Sequence, residues 1–134
     1  VLQGDVLAPF LFILVIDYIM RRSEQEFGFI YKPKKSERHP CCKLNDLDFA
    51  DDIALLENDI LTANRQLEKL REEAENVGLL INEAKTEVMQ FNIKPDSNVQ
   101  IRGKPLKVVS NFKYLGSQMQ STSNTDVACQ CAHL

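Results

Sequence analysis

The 134-residue sequence lacks the features that would place it in a membrane or in the secretory pathway. Its longest apolar run, residues 6–16, is well short of the roughly 20 residues that a bilayer-spanning helix needs. No basic segment precedes this run and no small-residue cleavage site follows it, which argues against a signal peptide. We therefore expect no membrane partner, and we expect the four cysteines to be reduced thiols inside a cell, in the nucleus or the cytoplasm.

The sequence also lacks an overall excess of positive charge, because its net charge is −3. A protein that binds nucleic acid on its own usually carries a basic surface, so the composition argues mildly against a stand-alone binding module. The composition still allows the chain to be a piece of a larger nucleic-acid-binding protein whose basic surface lies in another part. The first residue is Val1 rather than Met, and we expect the chain to be cut from a longer protein.

Two segments have the hydrophobic pattern of helices. Residues 6–22 are apolar nearly all round, with Pro9 tolerated in the first turn, and this pattern predicts a helix buried on all sides. A second helix is predicted to begin after a cap at Asn58 or Asp59 and to end at Gly78. Its apolar residues recur every three or four positions, as in an amphipathic surface helix: Ile60, Ala63, Leu67, Leu70, Ala74 and Val77.

Short apolar or alternating runs predict the strands. They lie at 27–31, 44–49, 53–56, 79–81, 88–91 and 112–116, with a further small hairpin within 99–109 that turns at Arg102-Gly103. Two helices covering one face of a mainly antiparallel sheet make an α+β fold. Residues 120–134 are predicted to be an irregular tail.

Two adjacent acids, Asp51 and Asp52, lie between the predicted strands that end at Phe49 and begin at Ile53. Aspartate tolerates turn geometry well, so a plain hairpin turn explains the pair if it is taken alone. Two carboxylates on a rigid hairpin tip can also bind Mg²⁺, which prefers oxygen ligands and substrate phosphates. The neighbouring sequence has to decide between these two interpretations.

Two other metal sites fail on spacing. Asp46, Asp48 and Glu57 stand at positions 1, 3 and 12 of a calcium loop, but Ala50 and Asp51 occupy positions 5 and 6, where the loop needs a ligand and a glycine. The histidines and cysteines lack the two-residue gaps of zinc sites, and we expect unpaired thiols instead. The residues concerned are His39, Cys41, Cys42, Cys129, Cys131 and His133.

Four stretches together resemble the reverse transcriptase domain of non-LTR, LINE-like retrotransposons. They occur in the family's order and cover the chain to about residue 116: LQGDVLAPFLF at 2–12, FADD at 49–52, GLLIN at 78–82 with Lys85-Thr86, and FKYLG at 112–116. Ala8 stands where many relatives carry serine. The resemblance implies that residues 1–119 are the C-terminal part of a polymerase palm domain. The fingers, the first catalytic aspartate and the thumb would then lie outside this sequence.

By this resemblance the parent protein is an RNA-directed DNA polymerase. It would extend a DNA primer on an RNA template, using deoxynucleoside triphosphates and two Mg²⁺ ions, with Mn²⁺ as a possible substitute. The resemblance makes Asp51 the main metal ligand and Asp52 a weaker one. Lys85 would give a proton to the leaving pyrophosphate. Gln3, Gly4 and Pro9 would form the pocket for the nucleotide and the template. Tyr114, Leu115 and Gly116 would position the primer.

Without the first catalytic aspartate, we expect the isolated chain to bind metal weakly and not to polymerise. The apolar helix at 6–22 would lose its cover without fingers and thumb, so we expect aggregation or partial folding. The alternative interpretation is a non-catalytic nucleic-acid or protein interaction module, or a decayed retroelement relic. A basic loop at 32–38 could contact phosphates, although such loops are usually only solvated. The oligomeric state stays open.

Overall fold

The computed structural model describes residues 6–23, 28–90, 98–120 and 128–133. These residues form two helices and eleven short strands, which confirms the predicted α+β class. In the described part, neither helix is long and apolar enough to cross a membrane. The elements are β1 (Phe29–Lys32), β2 (Cys42–Leu44), β3 (Asp46–Phe49), β4 (Asp52–Glu57), β5 (Glu87–Gln90), β6 (Gln100–Ile101), β7 (Lys104–Pro105), β8 (Lys107–Val108), β9 (Asn111–Tyr114), β10 (Ser117–Gln120), β11 (Ala128–His133), α1 (Leu7–Ser23) and α2 (Ile60–Asn76).

Helix α2 is the amphipathic helix that the sequence predicts. Asp59 is its N-cap, and the Asp59 carboxylate accepts hydrogen bonds from the Thr62 backbone N–H at 2.9 Å and the Thr62 hydroxyl at 2.5 Å. The helix ends before Gly78, whose φ of +83° suits glycine. The face toward the core is buried through Ala63, Gln66, Leu67, Leu70 and Ala74.

Helix α1 forms where it was predicted, but the prediction that it is buried on all sides is wrong for the described chain. Ile16, Ile19 and Met20 are buried, whereas Phe10 and Ile13 are each 59% exposed. The reason is geometric: α2, together with Ile53 and Leu55 of β4, covers one side of α1 near its C-terminal half, and the rest of the apolar surface of α1 stays exposed in the described chain. The apolar surface of α1 therefore exceeds what the described chain can cover.

The main sheet has five strands in the order β3-β4-β11-β5-β8. Strand β11 pairs antiparallel with both β4 and β5, so that Cys131 lies level with Ala54 on one side and with Glu87 on the other. Residues 128–133 therefore form a strand where the sequence indicated an irregular tail. Because β4 and β5 would otherwise face each other with unpaired backbone groups, the gap between them favours an extended segment despite its weak sequence pattern.

The sheet separates two apolar clusters, because successive strand residues face opposite sides. On the helix side, Ile53 and Leu55 of β4 and Val88 of β5 pack against α1 and α2. On the other side, Ala54 and Met89 pack with Phe112 of β9 in a smaller cluster. A hairpin of β9 and β10 thus covers the face of the sheet that the helices leave open.

Two further strand predictions need correction. Residues 79–81 do not pair as a strand, because the Leu79 N–H closes the end of α2 by bonding the Ala74 carbonyl at 2.9 Å. The hairpin within 99–109 forms as β6 and β7 around Arg102-Gly103, as predicted. Its expected return through Val108 is wrong, since Lys107–Val108 becomes β8 and pairs parallel with β5.

A second small sheet, formed by β1 and β2, is attached to the end of β4. The Gly28 N–H donates to the buried Glu57 carboxylate at 2.6 Å, and the Ile30 N–H donates to Asn58 Oδ1 at 3.0 Å. A Cβ atom at Gly28 would lie 1.9 Å from Asn45 Oδ1, and the φ of +127° at this position also favours glycine. These contacts fix the hairpin that leads directly into β3.

Candidate active site

The paired acids lie at the tip of the β3–β4 hairpin. The strands pair from Asp46 opposite Leu55 to Phe49 opposite Asp52, which leaves Ala50 and Asp51 as the two turn residues. The sequence predicted both acids in the turn. In the structure Asp51 is in the turn and Asp52 is the first residue of β4, because the turn closes after two residues.

The turn holds Ala50 in an unusual backbone conformation, with φ of +56°. Two-residue hairpin turns require positive φ at the first central position, where glycine is the ordinary choice. An alanine in the left-handed region costs about 1–2 kcal/mol. Strain of this kind is concentrated at functional sites, and here it lies directly beside Asp51.

The two carboxylates differ in exposure: Asp51 is exposed and Asp52 is half-buried. Carboxylate oxygens are ligands that Mg²⁺ prefers, so the donor chemistry of the tip fits this ion. Within the described ranges, however, no three acidic, histidine or cysteine side chains converge on one point. The tip could therefore hold Mg²⁺ only with additional oxygens from water, from substrate or from other protein segments.

A cavity of about 470 Å³ lies beside the tip. The hairpin contributes Asp48, Phe49 and Ala50 to its wall, and α1 contributes Ile13, Ile16 and Asp17. Asp17 is paired with Arg21 at 2.9 Å. Asp17 was not among the predicted site residues, although a single acid within an otherwise apolar helix is a signal that could have been used, and Asp48 was considered only as part of the calcium loop.

The primer-positioning candidate Tyr114 is brought to the acidic hairpin. Its hydroxyl donates to the Leu47 carbonyl of β3 at 2.8 Å, and its ring stacks on Phe112 with the centroids 6.4 Å apart. The predicted strand at 112–116 ends at Tyr114, because Leu115 and Gly116, with φ of +48° and +84°, form the β9–β10 turn. The hydrogen bond fixes this hairpin against β3, three residues before the turn.

Lys85 lies at the same end of the main sheet as the acids. It is exposed in the turn before β5, where its backbone N–H bonds the Asn82 carbonyl at 3.1 Å. Strands β4 and β5 run parallel on either side of β11 and begin at the same end of the sheet, two strand spacings or about 10 Å apart, with Glu87 level with Ala54 rather than with Asp52.

Of the three residues predicted to form the nucleotide and template pocket, Pro9 alone lies within the described part of the chain. Pro9 lies exposed in the first turn of α1, four residues before Ile13 of the cavity wall. Gln3 and Gly4 lie outside the described residues. The structure therefore neither supports nor opposes a nucleotide pocket built from these three residues.

The calcium-loop alternative is wrong. Asp46 and Asp48 belong to β3 and Glu57 ends β4, so the three acids lie on a β-hairpin rather than around a helix-flanked loop. Glu57 is 3% exposed and bonds Gly28, and burial raises the pKa of its carboxyl group above the usual value. Cys41 and Cys42 are free thiols; Cys42 is the first residue of β2 in the small sheet, and Cys41 directly precedes it.

Residues 1–119 match the reverse transcriptase (RNA-dependent DNA polymerase) family. The chain therefore belongs to the reverse transcriptase family, as the resemblance to non-LTR retrotransposons predicted.

Two proteins of transposable elements are similar to the chain. A retrovirus-related Pol polyprotein from the type-1 retrotransposable element R2 of Popillia japonica is 32% identical over 130 residues, which cover 90% of this chain. A transposon-derived protein of Caenorhabditis elegans is 37% identical over 86 residues, or 60% of this chain. The matched regions span only 20% and 30% of those proteins, respectively. No solved structure matches the chain.

Proposed function

We propose that this chain is part of the palm of a non-LTR retrotransposon polymerase, and that Asp51 is its principal metal-binding residue. The observation that carries this proposal is the position of the acids on a strained two-residue turn. A short hairpin with strands fixed on both sides can hold a carboxylate within the small tolerance that metal-assisted chemistry needs. Membership of the reverse transcriptase family supports the same assignment.

In this proposal each residue at the tip has a separate task. Mg²⁺, when bound, would stabilise charge on the attacking primer oxygen and on the leaving phosphate. Exposed Asp51 would contribute the first carboxylate, and half-buried Asp52 would provide a second or orient the first. Lys85, at the same sheet edge, would give a proton to the departing pyrophosphate.

The substrates follow from the same assignment. The hairpin around Leu115-Gly116, fixed to β3 through Tyr114, would position the end of a DNA primer. The beginning of α1, with Pro9 and the preceding Gln3-Gly4, would border the incoming deoxynucleoside triphosphate and the RNA template. A cavity between α1 and the acidic tip, with Ala50 in its wall, leaves space beside the proposed metal site.

We further propose that the isolated chain does not extend primers. Two carboxylates at the tip leave the metal site short of protein ligands within the described ranges. Incubation of the purified chain with a primer–template, deoxynucleoside triphosphates and Mg²⁺ or Mn²⁺ should give no product. Extension by the isolated chain at a rate above background would contradict this part of the proposal.

The decisive experiment substitutes Asp51→Asn in a longer polymerase that contains this segment, and measures primer extension. Each 1.4 kcal/mol of lost transition-state stabilisation slows the reaction tenfold, and loss of metal stabilisation is worth several kcal/mol, so we expect at least about a hundredfold decrease. Glu72→Gln, an equal charge change on the exposed side of α2, is the matched control and should retain activity. Similar rates for the Asp51 variant and the wild type would reject the metal-binding role.

A further inference from the structure

The loop between β1 and β2 carries the densest positive charge in the chain. Residues 31–43 contain five lysines and arginines and one glutamate, a net charge of +4 in a protein whose total is −3. The cations are Lys32, Lys34, Lys35, Arg38 and Lys43. All residues from 31 to 41 are exposed, so this charge is presented to solvent rather than neutralised in the interior.

The loop has a defined shape. The His39 N–H bonds the Ser36 carbonyl at 3.1 Å, the Lys35 N–H bonds the His39 carbonyl at 3.2 Å, and the Ser36 hydroxyl meets His39 Nδ1 at 3.2 Å. This turn bends the loop around a cavity of about 530 Å³. Its wall is formed by Lys32, Pro33, Lys35, Arg38, His39, Pro40 and Cys42.

The charge of this loop contrasts with four of the five arginines elsewhere in the described chain. In the described helices and the β6–β7 turn, Arg21, Arg22, Arg71 and Arg102 are each paired with a carboxylate at 2.5–3.2 Å. Within the described chain, Lys32, Lys34, Lys35 and Arg38 form no ion pair, and Glu37 is the one acid among them. Like charges held together without counter-charges repel one another, and a bound polyanion relieves that repulsion.

We propose that this concave basic loop, residues 32–43, binds the sugar–phosphate backbone of a nucleic acid without reading its bases. Lysine and arginine around a concave surface suit a ridge of phosphates, whereas a flat anionic membrane would touch only the rim. Tyr31, which is 53% exposed at the start of the loop, offers a ring on which a base or sugar can pack. The choice of nucleic acid among polyanions rests on the proposed polymerase function.

The loop lies at the opposite end of β2 and β3 from the acidic turn. Cys42 and Asp51 are nine positions apart in the sequence, a path of at most about 30 Å at 3.3 Å per residue. That distance equals about nine base pairs of duplex at 3.4 Å each. A single primer–template duplex is therefore long enough to reach from the acidic tip to the basic loop.

The test measures binding of the full chain to a fluorescent 20-base-pair RNA–DNA hybrid over a range of salt concentrations. The buffer contains EDTA and no nucleotide, so that binding is read separately from catalysis. The double variant Lys35→Gln/Arg38→Gln should bind at least about tenfold more weakly at 0.1 M salt, and the slope of log affinity against log salt should fall by about two. The matched control Arg65→Gln/Lys104→Gln also removes one lysine and one arginine from exposed positions, and it should leave both values unchanged.

The double variant Lys35→Arg/Arg38→Lys keeps the charge of the loop and therefore tests whether charge, rather than the identity of the side chains, is responsible. It should keep the wild-type slope of log affinity against log salt. Equal losses in the loop variant and the matched control would overturn the proposal, as would loss in the charge-conserving pair. Equal or tighter binding to vesicles of phosphatidylserine and phosphatidylcholine, lost in the same loop variant, would assign the loop to a lipid surface instead. Hybrid binding in EDTA reports on the loop, whereas primer extension by the Asp51→Asn polymerase reports on the acidic turn, so failure of the loop assignment and failure of the polymerase assignment give different results.

Discussion

The two helices have the same length, 17 residues, and opposite relations to the rest of the chain. Helix α2 buries one face completely and presents charged residues on the other, where Arg71 bonds Glu75 at 2.6 Å. Helix α1 is apolar on nearly every side, yet it buries only a strip near its C-terminal half. A hydrophobic pattern thus shows how much surface a helix needs to cover, but it does not show whether the same chain supplies the cover.

The contrast is sharpest for core substitutions. Leu67 of α2 is fully buried, so Leu67→Ala should lower the free energy of unfolding by about 2–5 kcal/mol through lost contacts and a cavity. Chemical denaturation followed by circular dichroism measures this change. A loss below about 0.5 kcal/mol would contradict the view that the buried face of α2 contributes more to stability than the exposed apolar surface of α1.

The cap of α2 should give the next largest effect. Asp59→Ala removes the acceptor for Thr62 and should cost about 0.5–2 kcal/mol at neutral pH. The hydrogen bonds from Thr62 lower the pKa of Asp59 below its ordinary value of 3.8. The stabilisation is therefore full above pH 3.8 and is lost as the pH falls through the lowered pKa.

Denaturation of the wild type and the Asp59 variant at several pH values checks this linkage. The difference between the two proteins should be constant near neutrality and should shrink in acid. Asp59→Asn keeps an oxygen acceptor without the charge, so it should retain most of the stability. A difference that grows as the pH falls would show that another acid controls the effect.

The smallest change in stability is expected on the exposed side of α1. Leu14 is 49% exposed, so Leu14→Ser should alter the free energy of unfolding by no more than about 0.5 kcal/mol. It should nevertheless reduce self-association, since large exposed apolar patches favour aggregation. Sedimentation of the purified chain at several concentrations measures this self-association. The contrasting variant Leu67→Ser changes a buried residue, so it should unfold the chain instead of reducing self-association.

Local signals explain the parts of the fold that the sequence predicts. The cap at Asp59 and the spacing of Leu67, Leu70 and Ala74 lie within a few turns of one helix. The alternation that ends at Phe49 is equally local. Strand β11 was missed because its pairing is decided by the distant edges of β4 and β5, and its own residues give no strong pattern.

The candidate site was predicted in the same uneven way. The acids at 51 and 52 and the aromatic hairpin can be recognised from short motifs. The positive φ of Ala50 could not be predicted, because alanine rarely adopts that conformation and only the two-residue closure imposes it. The cavity wall formed by Asp17 and Asp48 depends on how α1 lies against β3, which no local pattern encodes.

The position of β11 also sets the time at which the sheet can be completed during synthesis. Its partners in β4 precede it by roughly 70–80 residues, so the centre of the sheet closes only after the last described strand has been made. A nascent chain would carry the open edge of β4 throughout that interval and the open edge of β5 for the later part of it, and contacts of such long sequence separation form slowly. The order of translation thus makes residues 52–57 and 87–90 the most exposed points for pairing with a neighbouring nascent chain.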